Sequence, residues 1–296
     1  MSKVDRASLQ SFLLPIFLSA LAVVFAFLNT SYIRHHELTP AIESPKTDMK
    51  YLPKEIKKQI ATISPTQTIQ IPILMYHYVE YVTDKNDPFR QSMNINPDIF
   101  DSQMKTLSEA DFTFLQAKEL AEILDRKRAM PKKPILITLD DGHWDVDTVI
   151  LPILKKYHIT ATAYIIPGFT NGSDFMTQEQ ITHVISSGLI EIGSHTVHHI
   201  ALKDKSEQLV IDEVTQSKKM LEDTYHIPVV SFAYPSGSLD LQAIKAVQDA
   251  GYSTAVSTIM GKEHSQASRY FLYRIRPGIR TGPELLNFLE QNNFNQ

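Results

Sequence analysis

Strand-length apolar runs alternate with amphipathic stretches along most of this chain, and their order predicts a β/α architecture. Ile71–Met75 is a buried strand, and Pro97–Ala110 a helix with Phe100, Met104 and Leu107 on one face. Thr113–Leu115 is a short strand and Ala117–Lys127 a second helix. Ile135–Leu139, Ala161–Ile166 and Ile190–Ile192 are further strands, separated by helical patterns at Val149–Lys156 and Thr177–Ser187. A long amphipathic helix, Ser206–Tyr225, precedes strand Val229–Ala233, helix Leu239–Gly251 and strand Thr254–Ser257. Such alternation implies parallel strands joined by crossover helices, and continuously apolar strands imply that both sheet faces are covered. About seven units over this length predict a distorted (β/α) barrel, whose active residues belong at the carboxyl ends of the strands.

The N-terminal pattern is different. Phe12–Leu28 is nearly all apolar, and no charge occurs between Arg6 and Arg34. That run approaches the roughly 20 residues a helix needs to cross a hydrocarbon core. Lys3 and Arg6 precede it, which favours a cytoplasmic N-terminus and an outward-facing remainder. The small-residue stretch Ala20–Ala22 would serve signal cleavage poorly, because it lies inside the apolar run. Residues 1–33 are therefore expected to be a cytoplasmic stub and transmembrane anchor in the cell membrane, with secretion after cleavage as the alternative. Residues 34–69, polar and punctuated by Pro40, Pro45, Pro53 and Pro65, are expected to be a stalk, and 70–296 the folded domain.

Composition then removes several function classes. With 29 basic and 33 acidic residues the formal net charge is −4, unlike a nucleic-acid binder, which needs concentrated positive charge. There is no cysteine, so disulfides, thiolate nucleophiles and Cys-ligated metals are all excluded. Any metal must be held by His, Asp or Glu.

Four motifs fall at strand ends. Asp140-Asp141-Gly142 follows the strand Ile135–Leu139; alone, such a triplet is commonly a polar turn. His195 and His199 follow Ile190–Ile192, and one helical turn at that spacing would put both rings on one side. His198 points away from them and reads as an exposed or supporting residue. His77 ends the first strand, where a structural histidine is as ordinary as a functional one. Phe232–Gly237 runs from a strand into a Pro/Gly turn of the kind that presents backbone N–H groups to an oxyanion. Together, two His and one Asp make a three-ligand site with room for water, with a second carboxylate beside it to act as base.

These residues resemble the polysaccharide deacetylase family, whose catalytic module is the NodB-homology domain. Thr138–Gly142 is similar to its T-F-D-D-G motif, with Leu139 in place of Phe, and Ser194–His199 to its S-H-[ST]-x-x-H motif. The likeness runs from about Ile71 to Gly278, with the core motifs in 133–278. The resemblance implies that Asp141, His195 and His199 bind one divalent metal ion (zinc, nickel or cobalt) and that Asp140 is the general base. It implies a backbone N–H of Ser236 as oxyanion donor. Ala233 stands where many relatives carry an Arg that steadies the base, and Arg274 or Arg276 is expected to replace that charge. The late Leu-x-His motif is missing, while Ile73–His77 resembles the early motif of the poly-N-acetylglucosamine branch, which makes His77 the expected acid, protonated at rest. The implied activity is removal of N-acetyl groups from an extracellular polysaccharide, poly-β-1,6-N-acetylglucosamine first. Peptidoglycan, chitin or acetylated xylan is the rival substrate, and a non-catalytic glycan-binding protein the rival class.

Overall fold

The computed structural model describes residues 68–82 and 86–291. The expected anchor and most of the stalk lie outside the described residues. Among those residues, no helix is long and apolar enough to cross a membrane.

Seven parallel strands form the barrel: β1 Ile73–Tyr76, β2 Pro134–Leu139, β3 Ala161–Ile165, β4 Ile190–Ser194, β5 Ser231–Ala233, β6 Thr254–Met260 and β7 Leu272–Arg274. Each pairs with the next in chain order. β1 and β2 run from Ile73 opposite Leu136 to Tyr76 opposite Leu139. β3 and β4 run from Ala161 opposite Ile190 to Ile165 opposite Ser194. Between β6 and β7 the register shifts between Val256 and Met260. The ring closes just past β7: Ile275 bridges Leu74, with Met75 N–H donating to Ile275 O at 2.9 Å and Ile275 N–H to Ile73 O at 2.8 Å. The expected barrel of about seven units is thus present, nearly closed and distorted at that last junction. The strand Leu272–Arg274 adds to those expected from the sequence.

The connecting helices are α1 Pro97–Glu109, α2 Ala117–Leu124, α3 Leu151–Tyr157, α4 Gln178–Ser186, α5 Glu207–Tyr225, α6 Leu241–Asp249 and α7 Gly282–Glu290. Their starts are chemically encoded. Asn96 caps α1 ahead of Pro97, Thr177 and Gln180 form a capping box on α4, and the Asp240 side chain accepts from Ala243 N–H at α6. A π-helical turn, Val146–Ile150, leads into α3 and so lengthens the helix expected from Val149.

Side chains of a strand alternate between its two faces, and this alternation builds the site. Leu136, Tyr164, Ala233, Val256 and Leu272 form one apolar cluster with Ile73 and with Leu120, Ile123 and Leu124 of α2. The opposite parity, including Leu74, Ile135, Ile137 and Leu139, packs with the helices in a larger cluster. His77, Asp140, His195 and Arg274 all share the parity of the first cluster. Gly193 is required on that face. A Cβ there would lie 2.5 Å from the Tyr164 ring, which crosses over it.

Candidate active site

β2 ends in two acidic residues whose backbone forces them together. Asp140 N–H still belongs to the ladder, donating to Tyr76 O at 2.9 Å. Asp141 (φ 75°) and Gly142 (φ 80°) then take left-handed conformations in succession, so the chain reverses and the neighbouring carboxylates converge. A non-glycine residue in that region is strained, and such strain concentrates at functional sites.

His195 follows β4, its N–H on Ile165 O at 2.9 Å. His195 and His199 meet through an irregular loop instead of the helical turn suggested by their spacing. Thr196 (φ 63°) and His199 (φ 55°) are left-handed, and residues 195–200 contain no helix. A buried carboxylate on α5 holds this loop. Glu213 Oε2 accepts Val197 N–H at 2.8 Å and His198 N–H at 3.0 Å, while Oε1 meets His198 Nδ1 at 2.7 Å. His198 is otherwise exposed, and so supports the loop from outside.

The three expected ligands converge. Nε2 of His195 and Nε2 of His199 each lie 3.3 Å from Asp141 Oδ1, and the three donor atoms all lie within 4.8 Å of one another. Asp141 Oδ1 is buried and has no hydrogen-bond partner among the described residues, an arrangement that a cation resolves. His195 Nδ1 lies 2.7 Å from Ala233 O and must donate to it, which leaves Nε2 as the lone-pair nitrogen facing Asp141. Burial by itself would raise Asp141, but the rings of His143, His195 and His199 crowded around its two oxygens hold its carboxyl well below the usual range. One carboxylate oxygen and two imidazole nitrogens suit a divalent transition metal and leave a position open for water.

Asp140 is held from the other side. Arg274, buried and inside the barrel, donates from its two terminal nitrogens to Asp140 Oδ1 and Oδ2, both at 2.7 Å. Its Nε donates to Ser257 O at 2.7 Å, and one terminal nitrogen also reaches Thr138 Oγ1 at 3.1 Å. Burial again works upward on the Asp140 carboxyl, and the Arg274 charge and hydrogen bonds outweigh it, so the group stays ionised. Of the two arginines expected near the base, Arg274 reaches it. Arg276 turns a terminal nitrogen to Met93 Sδ at 2.8 Å.

His77 Nε2 stands 3.8 Å from Asp140 Oδ2. Burial pushes its ring down to about 4, more than the nearby Asp140 and Asp141 charges restore. Burial thus works against the protonated resting ring expected from the sequence. The backbone beyond His77 is tied by Val79 N–H to the buried Asp145 carboxylate. In the turn after β5, Gly237 N–H returns to Tyr234 O at 2.9 Å and Ser238 N–H to Pro235 O at 3.0 Å. Ser236 sits between them in a left-handed conformation (φ 54°), and Gly237 packs so tightly on Thr258 that no Cβ would fit.

Two residues of the site escaped sequence reading. His143 is buried with Nε2 3.3 Å from Asp141 Oδ2, its Nδ1 3.1 Å from Asp174 O, and its ring stacked between Tyr78 and Phe175. It stands two positions from the metal-ligand aspartate, which was the available signal. Glu213 is the other. The inward face of α5 runs Val210, Glu213, Val214, Ser217, Leu221, and a carboxylate in that register marks a buried acceptor. Replacing Glu213 with Ala releases the ligand loop and should weaken metal affinity about 10- to 100-fold, the usual cost of losing an outer partner. Competition against a coloured chelator measures this, and unchanged affinity would show that the loop is ordered without Glu213.

In fold the chain is similar to deacetylases of known structure. Residues 127–255 match the polysaccharide deacetylase family profile. It is 28% identical over 270 residues to the putative polysaccharide deacetylase YxkH of Bacillus subtilis, covering 90% of this chain and 94% of that protein. It is 24% identical over 265 residues to the poly-beta-1,6-N-acetyl-D-glucosamine N-deacetylase of Staphylococcus aureus strain MRSA252, covering 85% and 89%. The structure superposes with a TM-score of 0.69 on the Streptococcus pyogenes deacetylase PplD in complex with acetate, at 28% identity, covering 76% of this chain and all of that one.

Proposed function

We propose that this protein is a metal-dependent deacetylase that removes N-acetyl groups from an extracellular polysaccharide, with poly-β-1,6-N-acetylglucosamine as the first substrate to test. The observation that carries the reading is the unpartnered Asp141 Oδ1 between two histidine Nε2 atoms, beside a second aspartate locked in its ionised form by Arg274. Asp141, His195 and His199 would hold zinc, nickel or cobalt. When bound, such an ion supplies a Lewis acid and lowers the pKa of coordinated water.

The chain's own residues supply the rest. Asp140 accepts the proton of the attacking water, and Arg274 keeps that carboxylate oriented and ionised until it does. Ser236 N–H, at the turn after β5, donates to the oxygen that becomes negative as the acetamide carbonyl is attacked. His77 delivers a proton to the departing amine. Burial disfavours a protonated resting ring, and Asp140 Oδ2, 3.8 Å away, is placed to pass on the proton it takes from water. Acetate and a free glucosamine unit result. The apolar segment Phe12–Leu28 would hold the domain at the outer face of the cell membrane.

The test is acetate release from β-1,6-N-acetylglucosamine oligomers by the full-length chain, after chelation and again after zinc, cobalt or nickel is restored. Release should vanish with chelator and return with metal, and His195→Ala should lose stoichiometric metal. A folded, metal-loaded protein that releases no acetate with any of the three ions would sink this substrate assignment.

A further inference from the structure

Arg274 lies inside the barrel and Arg276 two residues on, just past the end of the last strand, and the structure uses them differently. Arg274 makes four hydrogen bonds, to Asp140, Thr138 and Ser257. Arg276 is half-buried at the mouth, and among the described residues its one hydrogen bond is to a thioether, a weak acceptor. No carboxylate pairs with it among the described residues. Arg90, Arg128, Arg269 and Arg280 each have an acidic partner instead. The charged and titratable groups nearest Arg276 are Arg274, Asp140 and His77. Burial and Arg274 both work against its charge, and Asp140, already gripped through both oxygens by Arg274, offsets them only in part. A guanidinium withdrawn from water without a counter-charge is costly, and its five donors in a fixed fork match a planar or tetrahedral oxyanion.

We infer that Arg276 forms a substrate subsite for an oxyanion, a carboxylate or phosphate carried on the acetylated glycan close to the acetamido group being cleaved. This rests on the deacetylase reading and sharpens it. A neutral homopolymer of N-acetylglucosamine offers Arg276 only hydroxyl and carbonyl oxygens, whereas an acidic wall glycan offers a charge-assisted pair. The subsite therefore separates the rival substrates, and it favours an acidic polymer over the neutral poly-β-1,6-N-acetylglucosamine that the resemblance puts first. Arg276 acts on binding, since the base already has its own arginine.

The test compares wild type with Arg276→Gln and Arg276→Lys, as full-length metal-loaded protein. Three acetylated oligomers of equal length are used: neutral, bearing lactyl carboxylates, and bearing phosphates. Arg276→Gln should lower kcat/KM on one acidic series by about 10- to 100-fold, the range for hydrogen bonds to charged groups, mainly through KM. The neutral oligomer should change less than about twofold, and Arg276→Lys should recover part of the loss. The series that responds identifies the oxyanion. An equal loss on neutral and acidic oligomers would assign Arg276 to the base instead, and no loss on any oligomer would remove it from the site; either overturns the inference. Binding of the corresponding deacetylated oligomers, which cannot turn over, is measured by calorimetry in parallel. Should wild type release no acetate yet bind acidic oligomers in an Arg276-dependent way, the deacetylase reading fails and the subsite stands. Arg276-independent binding overturns it whatever the activity.

Discussion

Asp140→Asn should lower kcat/KM for acetate release by about 10²- to 10⁴-fold, the contribution typical of a positioned general base. The amide keeps the size of the carboxylate but has no free charge with which to take a proton from water. Metal content should stay near one ion per chain, because Asp141, His195 and His199 supply the donor cluster without Asp140. Some stability will be lost as well, since one of the two Arg274 bonds at 2.7 Å becomes a contact between two donors. A thermal melt on the same sample therefore has to show a folded variant at the assay temperature. If that folded, metal-loaded variant turns over within about tenfold of wild type, the base lies elsewhere. His77, 3.8 Å away, would be the next group to examine.

How far the sequence led follows from which physical signals are local. The alternation of apolar runs and amphipathic helices is local, and it sufficed for a parallel β/α barrel with its chemistry at strand ends. Parity within each strand then carried Asp140, His195 and the late arginines to the same interior face. The conformations that complete the site are another matter. Asp141, Thr196, His199 and Ser236 are all non-glycine residues with positive φ, and nothing in their identity announces it. Helical spacing suggested a shared face for His195 and His199. The convergence is real, but Glu213, from a helix that starts further along the chain, holds their loop. Likewise the protonation state of His77 depends on how deeply it is buried, which no motif records. The choice between Arg274 and Arg276 was open in the sequence, because residues two apart on a strand share a face. It is settled in space by depth: Arg274 lies within the ring of strands beside Thr138 and Ser257, while Arg276 lies beyond the strand's end.

That depth makes Arg274 the residue whose loss should cost the fold most. Arg274→Met removes a fully buried cation and strands the Asp140 carboxylate, itself 2% exposed, without a counter-charge. Breaking one partner of a buried pair typically costs about 3–5 kcal/mol. The pH dependence tests the cause. In wild type the Asp140 carboxyl is depressed, so the pair contributes stability above the ordinary carboxylate range, and that stability is lost as pH falls through the depressed value. In the variant the largest remaining influence is burial, which raises the group. Asp140 then opposes folding at neutral pH, and this penalty fades as acid protonates it. The stability gap between wild type and Arg274→Met, from urea unfolding, should therefore be wider at pH 7.5 than at about pH 5. A gap that does not narrow would mean lost packing rather than stranded charge. Adding Asp140→Asn to Arg274→Met separates the two further, because removing both members of a buried pair leaves no uncompensated charge. The double variant should recover a substantial part of the stability lost in the single, although it stays inactive. A double variant no more stable than the single would mean that Arg274 supports the barrel through Ser257 and Thr138, and that its grip on the base is incidental to the fold.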